Sequence, residues 1–391
     1  LQLVPGPVPV APPPAKEINS NKRAGPLVER VAIIGLGLMG GSLGLALLQG
    51  GLAREVAGYD REVEAIQAAM QLGAINHQAT CPEEAVAGAE VVILAVPVGA
   101  LSQVAGAIAP ALAPGTIVTD TGSVKGAVVR ELESILQPRA FYVGGHPMAG
   151  SERAGIKAAD RYLLENAVYV LTPTPATDAG ALQRLEELFQ VMGSRVMTLD
   201  PEEHDLVVAG ISHLPHLLAV SLMQTAGILS REHPLALMLA AGGFRDTTRI
   251  AAGDPVMWRD IFLHNRQAIL TLLKCWRRQV EALEGMIVRG DGEDLEAALQ
   301  QARSLRAQVP VRQKGLLPAL HELVVTVPDQ PGVIGGMASV LGNAGINIID
   351  IEILRVREGE GGSIRLGFTT AAAASKALEI LQSKGINARV L

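Results

Sequence analysis

Four short blocks hold the side chains best suited to chemistry. His146 stands in GGHPMAGSE, where Gly144 and Gly145 remove side chains that would crowd it and Pro147 stiffens the segment, so the imidazole is presented rather than buried. With an ordinary pKa near 6.5, an imidazole accepts a hydroxyl proton near neutrality, the task left to a side chain when a hydride departs from the same carbon. Ser123, in TDTGSVKG, has two readings. It either hydrogen-bonds that hydroxyl or the imidazole, or it N-caps a helix running from Val124 to Leu136. ISHLPHLL sets His213 and His216 three apart on one helix face, with Pro215 between them. No further ligands stand at metal spacing, so no metal is expected. The pair reads either as buried structural histidines or as polar contacts to a substrate held between two domains. GGFRDTTRIAAGDPVMWRD gathers Arg245, Arg249, Trp258 and Arg259. The planar guanidinium fork matches a carboxylate, which points to an anionic substrate, although Arg245 and Arg259 also read as a solvated face.

These residues need a scaffold, and the chain supplies one. Gly35, Gly37 and Gly40 form GxGxxG directly after the apolar run Val31 to Ile34 and directly before the helical run Gly41 to Gln49. The first glycine allows the tight turn, the second lets the backbone approach a pyrophosphate, and the third lets helix and strand pack closely. Twenty residues on, Asp60 ends the next strand, where a carboxylate accepts hydrogen bonds from a ribose diol and repels a 2′-phosphate, so NAD is favoured over NADP; Arg61 beside it weakens that preference. The expected cofactor-binding set is Gly35, Leu36, Gly37, Leu38, Met39, Gly40 and Asp60, with Val96 and Pro97 after VVILAV and Gly122 in TDTGS. The β-rich runs VAIIG, EVAGYD, AEVVILAVP, TIVTD, FYVGGHP and AVYVLTP alternate with helical segments, the pattern of an α/β fold on a parallel sheet. Ligands of such sheets lie beyond the carboxyl ends of the strands, which is where Ser123 and His146 fall.

A chain of 391 residues exceeds one typical domain, and its text changes character twice. Residues 1–28 are rich in proline and read as a flexible tail, residues 29–200 as the dinucleotide-binding domain, and residues 201–310 as an all-helical domain. Residues 311–319 form a linker, and 320–391 read as a small βαββα unit. With 49% hydrophobic and only 3% aromatic residues, the cores are aliphatic. A formal net charge of −6 argues against broad nucleic-acid binding. Cys81 and Cys275 form neither a disulfide framework nor a zinc motif, which suits a cytoplasmic protein. The longest apolar stretch, Ile211 to Leu229, is broken by two histidines, a proline and a glutamine and is read as a buried helix rather than a membrane span.

The blocks GLGLMGGSLGLAL, TDTGSVKG, GGHPMAGSE, ISHLPH and FRDTTRIAAGDPVMWRDI, in this order and spacing, resemble the prephenate/arogenate dehydrogenase family of tyrosine biosynthesis over roughly Val31 to Val309. From about His321, PDQPGV and NAGINI resemble an ACT domain, an α+β βαββαβ-like module that usually binds an amino acid. The resemblance implies a Rossmann-type domain, a helical domain through which two copies dimerise, and oxidative decarboxylation of prephenate with NAD; arogenate is the alternative substrate. It implies His146 as proton acceptor, Ser123 orienting the hydroxyl, Arg249 on the ring carboxylate, and His213, His216 and Trp258 lining the substrate pocket; Arg245, read from its residue type, joins the expected substrate-binding set. In the ACT-like tail, Asp329, Gly332 and Asn347 lie in two turns at one end of a βα pair and are the expected effector site, with tyrosine as the candidate effector; ordinary turn residues are the other reading. Two other readings share parts of the pattern. A β-hydroxyacid dehydrogenase has the same layout but uses a lysine in its helical domain, and Lys274 lacks the surrounding motif. An amino-acid sensor with an idle dehydrogenase half is opposed by the intact His146 and Arg249 blocks.

Overall fold

The computed structural model describes residues 25–150, 154–309, 321–328, 330–357 and 361–390. The chain divides into two compact units, Leu1–Arg306 and Ala307–Leu391. Most of the proline-rich segment and the whole expected linker lie outside the described residues, as does Asp329.

Unit 1 begins with β1 (Val28–Ile34), α1 (Leu38–Gln49), β2 (Ala53–Tyr59), α2 (Val63–Leu72), β3 (His77–Gln78), α3 (Pro82–Val86), β4 (Val91–Leu94) and α4 (Leu101–Ile108). It continues through β5 (Ile117–Asp120), α5 (Gly126–Leu136), β6 (Phe141–Pro147), β7 (Val168–Thr172), α6 (Ala179–Val191) and β8 (Arg195–Thr198). Among the described residues these strands form one sheet of order β3-β2-β1-β4-β5-β6-β7-β8. Val91 to Leu94 and Ile117 to Asp120 are buried throughout, because helices cover both faces and leave no solvent side for an alternating pattern. The chain passes from β1 to β2 on one side and returns to β4 on the other, which opens a crevice at the carboxyl ends of β1 and β4.

The expectation of a parallel sheet needs one correction. β7 runs antiparallel to β6, pairing Gly145 with Leu171 and His146 with Val170, while β8 is again parallel to β7. A parallel return needs a crossover, and among its described residues the β6–β7 connection carries only the short 3₁₀ turn Ile156–Ala158.

The helical part comprises α7 (Pro201–Val208), a π-turn (Ala209–His213), α8 (Leu214–Glu232), α9 (Gly242–Thr248), a 3₁₀ turn (Arg249–Ala252), α10 (Pro255–His264), α11 (Arg266–Arg289) and α12 (Gly292–Gln308). Two of these helices start at Asp-Pro pairs. Asp200 accepts from the N–H groups of Glu202 and Glu203, and Asp254 accepts from Met257, each with proline at the first helical position. Ile261 and Trp258 of α10 join the core that α3, α4 and α5 build on one face of the sheet, so the helical part is anchored to the dinucleotide-binding part. The expected buried helix within Ile211 to Leu229 is corrected too. In α8 only His216 and Ala219 are buried, and Leu222, Met223, Ile228 and Leu229 are exposed. Apolar composition marked a surface that wants covering, but the described residues of unit 1 leave these side chains exposed. The helical stretch Pro201–Glu232 is long and apolar enough to cross a membrane by composition alone.

Unit 2 runs β9 (His321–Val327), α13 (Val333–Asn343), β10 (Asp350–Arg357), β11 (Gly361–Phe368), α14 (Ala371–Ser383) and β12 (Asn387–Val390). Its antiparallel sheet has the order β10-β11-β9-β12, and Leu323, Val325, Leu366, Phe368, Met337, Leu341 and Leu381 fill its own core. The closing strand β12, too short and polar to enter the βαββα reading of the residues, is the one that the βαββαβ-like resemblance implied. It is defined by its pairing with β9.

Candidate active site

At the β1–α1 turn the glycines do different work. Gly35 has a φ of +95°, donates its N–H to Tyr59 O at 2.8 Å, and faces Ala95 O so closely that a Cβ would lie 2.4 Å away. Gly37 precedes α1 and has open space where its side chain would be, the approach an incoming phosphate needs. A Cβ on Gly40 would lie 1.9 Å from Gly35 O, so the third glycine closes the turn. Asp60 lies just past β2. Its Oδ2 accepts from the Leu36 N–H at 2.7 Å and its Oδ1 from the Glu62 N–H at 3.0 Å, which fixes the carboxylate at the edge of the turn. Arg61 points away into an exposed pair with Glu62 at 3.3 Å. Leu36 is fully buried, so only its backbone faces the turn, whereas Leu38 and Met39 are half-buried. Val96 is half-buried and Pro97 exposed after β4. Gly122 is buried, and a Cβ there would meet Asp120, Leu101 and Val98.

The carboxyl ends of β5 and β6 carry a buried ionic knot that sequence reading missed. Lys125 and Asp120 are both fully buried and paired, and Lys125 Nζ also donates to Gly145 O at 2.8 Å. Asp120 Oδ1 accepts from Tyr142 OH at 2.8 Å and from the Gly145 N–H at 3.2 Å, and its Oδ2 accepts from the Gly122 N–H at 2.8 Å. Burial lowers the Lys125 pKa against the pull of Asp120, and burial followed by the Asp120 charge pushes the Tyr142 phenol well above its usual value. Both backbone groups of Gly145, the residue before His146, are thereby held. Gly144 and Gly145 leave no room for side chains, since a Cβ would lie 2.4 Å from Thr172 Oγ1 or 2.6 Å from Asp120 O.

His146 emerges half-buried at the end of β6. Its Nδ1 lies 2.8 Å from Nε2 of the fully buried His204, whose Nδ1 lies 2.9 Å from Asp205 Oδ1. Asp205 in turn accepts the N–H groups of Lys125 and Gly126 at 2.7 and 2.8 Å, so a carboxylate from α7 caps α5. The N-cap reading of Ser123 is corrected accordingly. α5 starts at Gly126, later than the expected Val124, and Ser123 is half-buried in the loop ahead of it. Burial, then the His204, Lys125 and His213 neighbours, pushes the His146 pKa well below the usual histidine value.

His213 and Asn265 complete this side. Asn265 Nδ2 donates to Asp205 O at 2.8 Å and stands 3.1 Å from His213 Nδ1. Burial, opposed by Asp205, lowers the His213 pKa to about 4. His216 stacks on Trp258 with centroids 3.5 Å apart, His213 meets the same indole edge-on at 6.2 Å, and Phe262 leans on both His216 and Trp258. Gly253 gives the indole room, since a Cβ would lie 2.5 Å from Trp258 Nε1. His216 Nδ1 is buried without a hydrogen-bond partner, and burial lowers its pKa. The structure thus gathers His146, His204, Asp205, His213, His216 and Trp258 around the seam between sheet and helices. Arg249 stands exposed on the 3₁₀ turn after α9, Arg245 is exposed in the last turn of α9, and Arg259 pairs with Asp260 at 2.7 Å. Among the described residues no cluster of three or more His, Cys, Asp or Glu is placed to hold a metal ion. In the sequence, Asp120 and Lys125 stand within the TDTGSVKG block that was read for Gly122 and Ser123 only, and nothing local sets His204 and Asp205 apart from other polar residues of a helix start.

The sequence matches the model of the prephenate dehydrogenase nucleotide-binding domain over residues 43–198, that of the prephenate dehydrogenase dimerization domain over 200–301, and that of the ACT domain over 321–387. It is 37% identical over 357 residues to the prephenate dehydrogenase of Bacillus subtilis (strain 168), covering 91% of this chain and 96% of that one. Its fold resembles the crystal structure of prephenate dehydrogenase from A. aeolicus in complex with hydroxyphenyl propionate and NAD+, with 36% identity, a TM-score of 0.68, and 72% of this chain and 98% of that one covered. The Synechocystis arogenate dehydrogenase structure follows at 30% identity and a TM-score of 0.64, covering 72% of this chain and all of that one. The chain belongs to the prephenate dehydrogenase family, and carries a C-terminal ACT domain.

Proposed function

We propose that the protein catalyses the NAD-dependent oxidative decarboxylation of prephenate to 4-hydroxyphenylpyruvate and carbon dioxide. The observation that carries this reading is His146, half-exposed at a strand end, with its neighbouring backbone fixed by the Lys125–Asp120 pair and its Nδ1 engaged by His204. The open face of Gly37, the start of α1 and the carboxylate of Asp60 fit a dinucleotide with a free ribose diol. NAD bound there supplies the hydride acceptor. His146 takes the proton of the ring 4-hydroxyl through Nε2, and Ser123 orients that hydroxyl. Arg249 binds the ring carboxylate, Arg245 adds positive charge, and His213, His216 and Trp258 line the substrate pocket. Loss of carbon dioxide aromatises the ring, so alignment and one proton acceptor suffice, with no covalent nucleophile.

The exposed apolar residues of α8 support a homodimer, with a second copy of the helical part covering them. Free Cys81 and Cys275 are compatible with a cytoplasmic setting. In the ACT domain Gly332 has a φ of +88° at the start of α13, and the exposed Asn347 follows Gly345, whose φ is +72°; this pair of turns suits a free amino acid such as tyrosine. If a chain lacking the ACT domain is as sensitive to tyrosine as the full chain, the inhibitor acts at the catalytic cleft instead. The central test is NADH absorbance after mixing the full chain with NAD and either prephenate or arogenate. Turnover of prephenate is the expected result, turnover of arogenate alone establishes the alternative substrate, and turnover of neither overturns the reading.

A further inference from the structure

We infer that His204 and Asp205 are positioning residues that fix the tautomer of His146, placing its hydrogen on Nδ1 and leaving the lone pair of Nε2 as the proton acceptor. This deepens, and rests on, the proton-acceptor role proposed for His146. Three side chains in series fix where each hydrogen sits. Asp205 receives the N–H groups of Lys125 and Gly126, one on each oxygen, at the start of the eleven-residue helix α5. With a backbone donor on each oxygen, the Asp205 carboxylate acts as an acceptor at both. The remaining contact of Oδ1, at 2.9 Å, is Nδ1 of His204, so that nitrogen carries a hydrogen. A neutral His204 then has a bare Nε2. That atom lies 2.8 Å from His146 Nδ1, and the contact is a hydrogen bond only if His146 donates. One hydrogen is thereby assigned to each ring, and the acceptor atom of His146 is the nitrogen facing away from the relay.

The opposite pattern requires a proton on Asp205 among backbone donors, or a second proton on His204, which is fully buried. The relay also serves the proton-loaded state. Lys125 is a fixed buried cation near His146, and with burial it makes a second positive charge costly there. When His146 takes up a proton, its Nδ1–H strengthens toward His204 and the Asp205 carboxylate lies at the far end of the same chain, which offsets part of the repulsion. His213 also faces this site but is held by Asn265 and takes no part in the relay.

Two measurements on the full chain test the inference. Long-range proton–nitrogen spectra of protein labelled with nitrogen-15 histidine, assigned with His146→Asn, should show His146 with a protonated Nδ1 and a bare Nε2 at pH 7.5. A protonated Nε2 in the unliganded protein overturns it. In the second, His204→Leu removes the acceptor, whereas His204→Gln can present its Oε1 to His146 and its amide hydrogens to Asp205. The Leu variant should lose about 10²-fold in kcat with KM for prephenate within about threefold of the parent, the signature of a misaligned base, and the Gln variant should recover at least about tenfold of that loss. Equal activity of the two variants, or a Leu variant with undiminished kcat, overturns the inference. NAD binding by the Leu variant checks that it folds; if it does not, the spectrum of the parent protein decides. Absence of any turnover by the parent would refute the proposed reaction while leaving the tautomer measurement intact.

Discussion

Acid should unfold unit 1 partly through His213. The ordinary histidine value of 6.5 is lowered to about 4 in the folded protein, mainly because the ring is buried. Between those values the unfolded chain binds a proton that the folded chain refuses, so stability falls as pH drops through 6.5 and stops falling, for this group, below about 4. At about 1.4 kcal/mol for each pH unit the full penalty is roughly 3 to 4 kcal/mol, most of it incurred between pH 7 and pH 4.5. His146 and His216 are lowered as well and act in the same direction. His213→Gln isolates one contribution, because it retains an acceptor for the Asn265 amide and cannot titrate. Urea unfolding followed by tryptophan fluorescence suits the purpose, since Trp258 and Trp276 are the only tryptophans of the chain and both lie in unit 1. Relative to the parent, the Gln variant should gain about 2 to 3 kcal/mol on going from pH 7 to pH 4.5. A difference between parent and variant that stays constant with pH would refute the neutral, buried assignment. The same assignment has a functional side. With Nδ1 receiving the Asn265 hydrogen, neutral His213 carries its own hydrogen on Nε2 and can serve as a donor to bound substrate.

Four other outcomes follow from the site. His146→Asn should lower kcat by about two to four orders of magnitude while prephenate binding, measured by quenching of Trp258, survives; retention of most of kcat removes His146 from the mechanism. Arg249→Gln should raise KM for prephenate strongly and change kcat comparatively little, because the carboxylate it is proposed to bind departs as neutral carbon dioxide and such an ion pair weakens toward the transition state. A normal KM with collapsed kcat would contradict that role. NAD should give a higher kcat/KM than NADP, since a 2′-phosphate would meet the Asp60 carboxylate; the reverse ranking would refute the assignment of Asp60. Lys125→Met should destabilise unit 1 by about 3 kcal/mol, toward the low end for an orphaned buried charge because Asp120 keeps three other donors. Pairing it with Asp120→Asn should recover part of that loss in urea unfolding, and a double variant less stable than the single one would show that the knot is not an isolated charge pair.

What the text revealed and what it hid divide along a physical line. The glycine turn, the strands β1, β2 and β4 to β7 and the place of His146 near a strand end were legible because each depends on residues within one or two turns of chain. Gly35 needs its positive φ for the turn itself, whereas the two-residue strand β3 left no signal. The direction of β7 was hidden because strand composition is the same for both directions, and only the missing crossover helix decides it. The exposed face of α8 was hidden because apolarity records the need for a cover without recording who supplies it. The relay is the clearest case. Asp205 caps a helix eighty residues earlier in the chain, and His204 reaches His146 across fifty-eight. No local pattern distinguishes such an aspartate from an ordinary polar residue in the first turns of α7. The proposed proton acceptor was only half legible. His146 could be proposed from its sequence block, but which of its two nitrogens is free depends on a hydrogen count that begins at the backbone of Lys125, a tertiary contact that the motif alone does not contain.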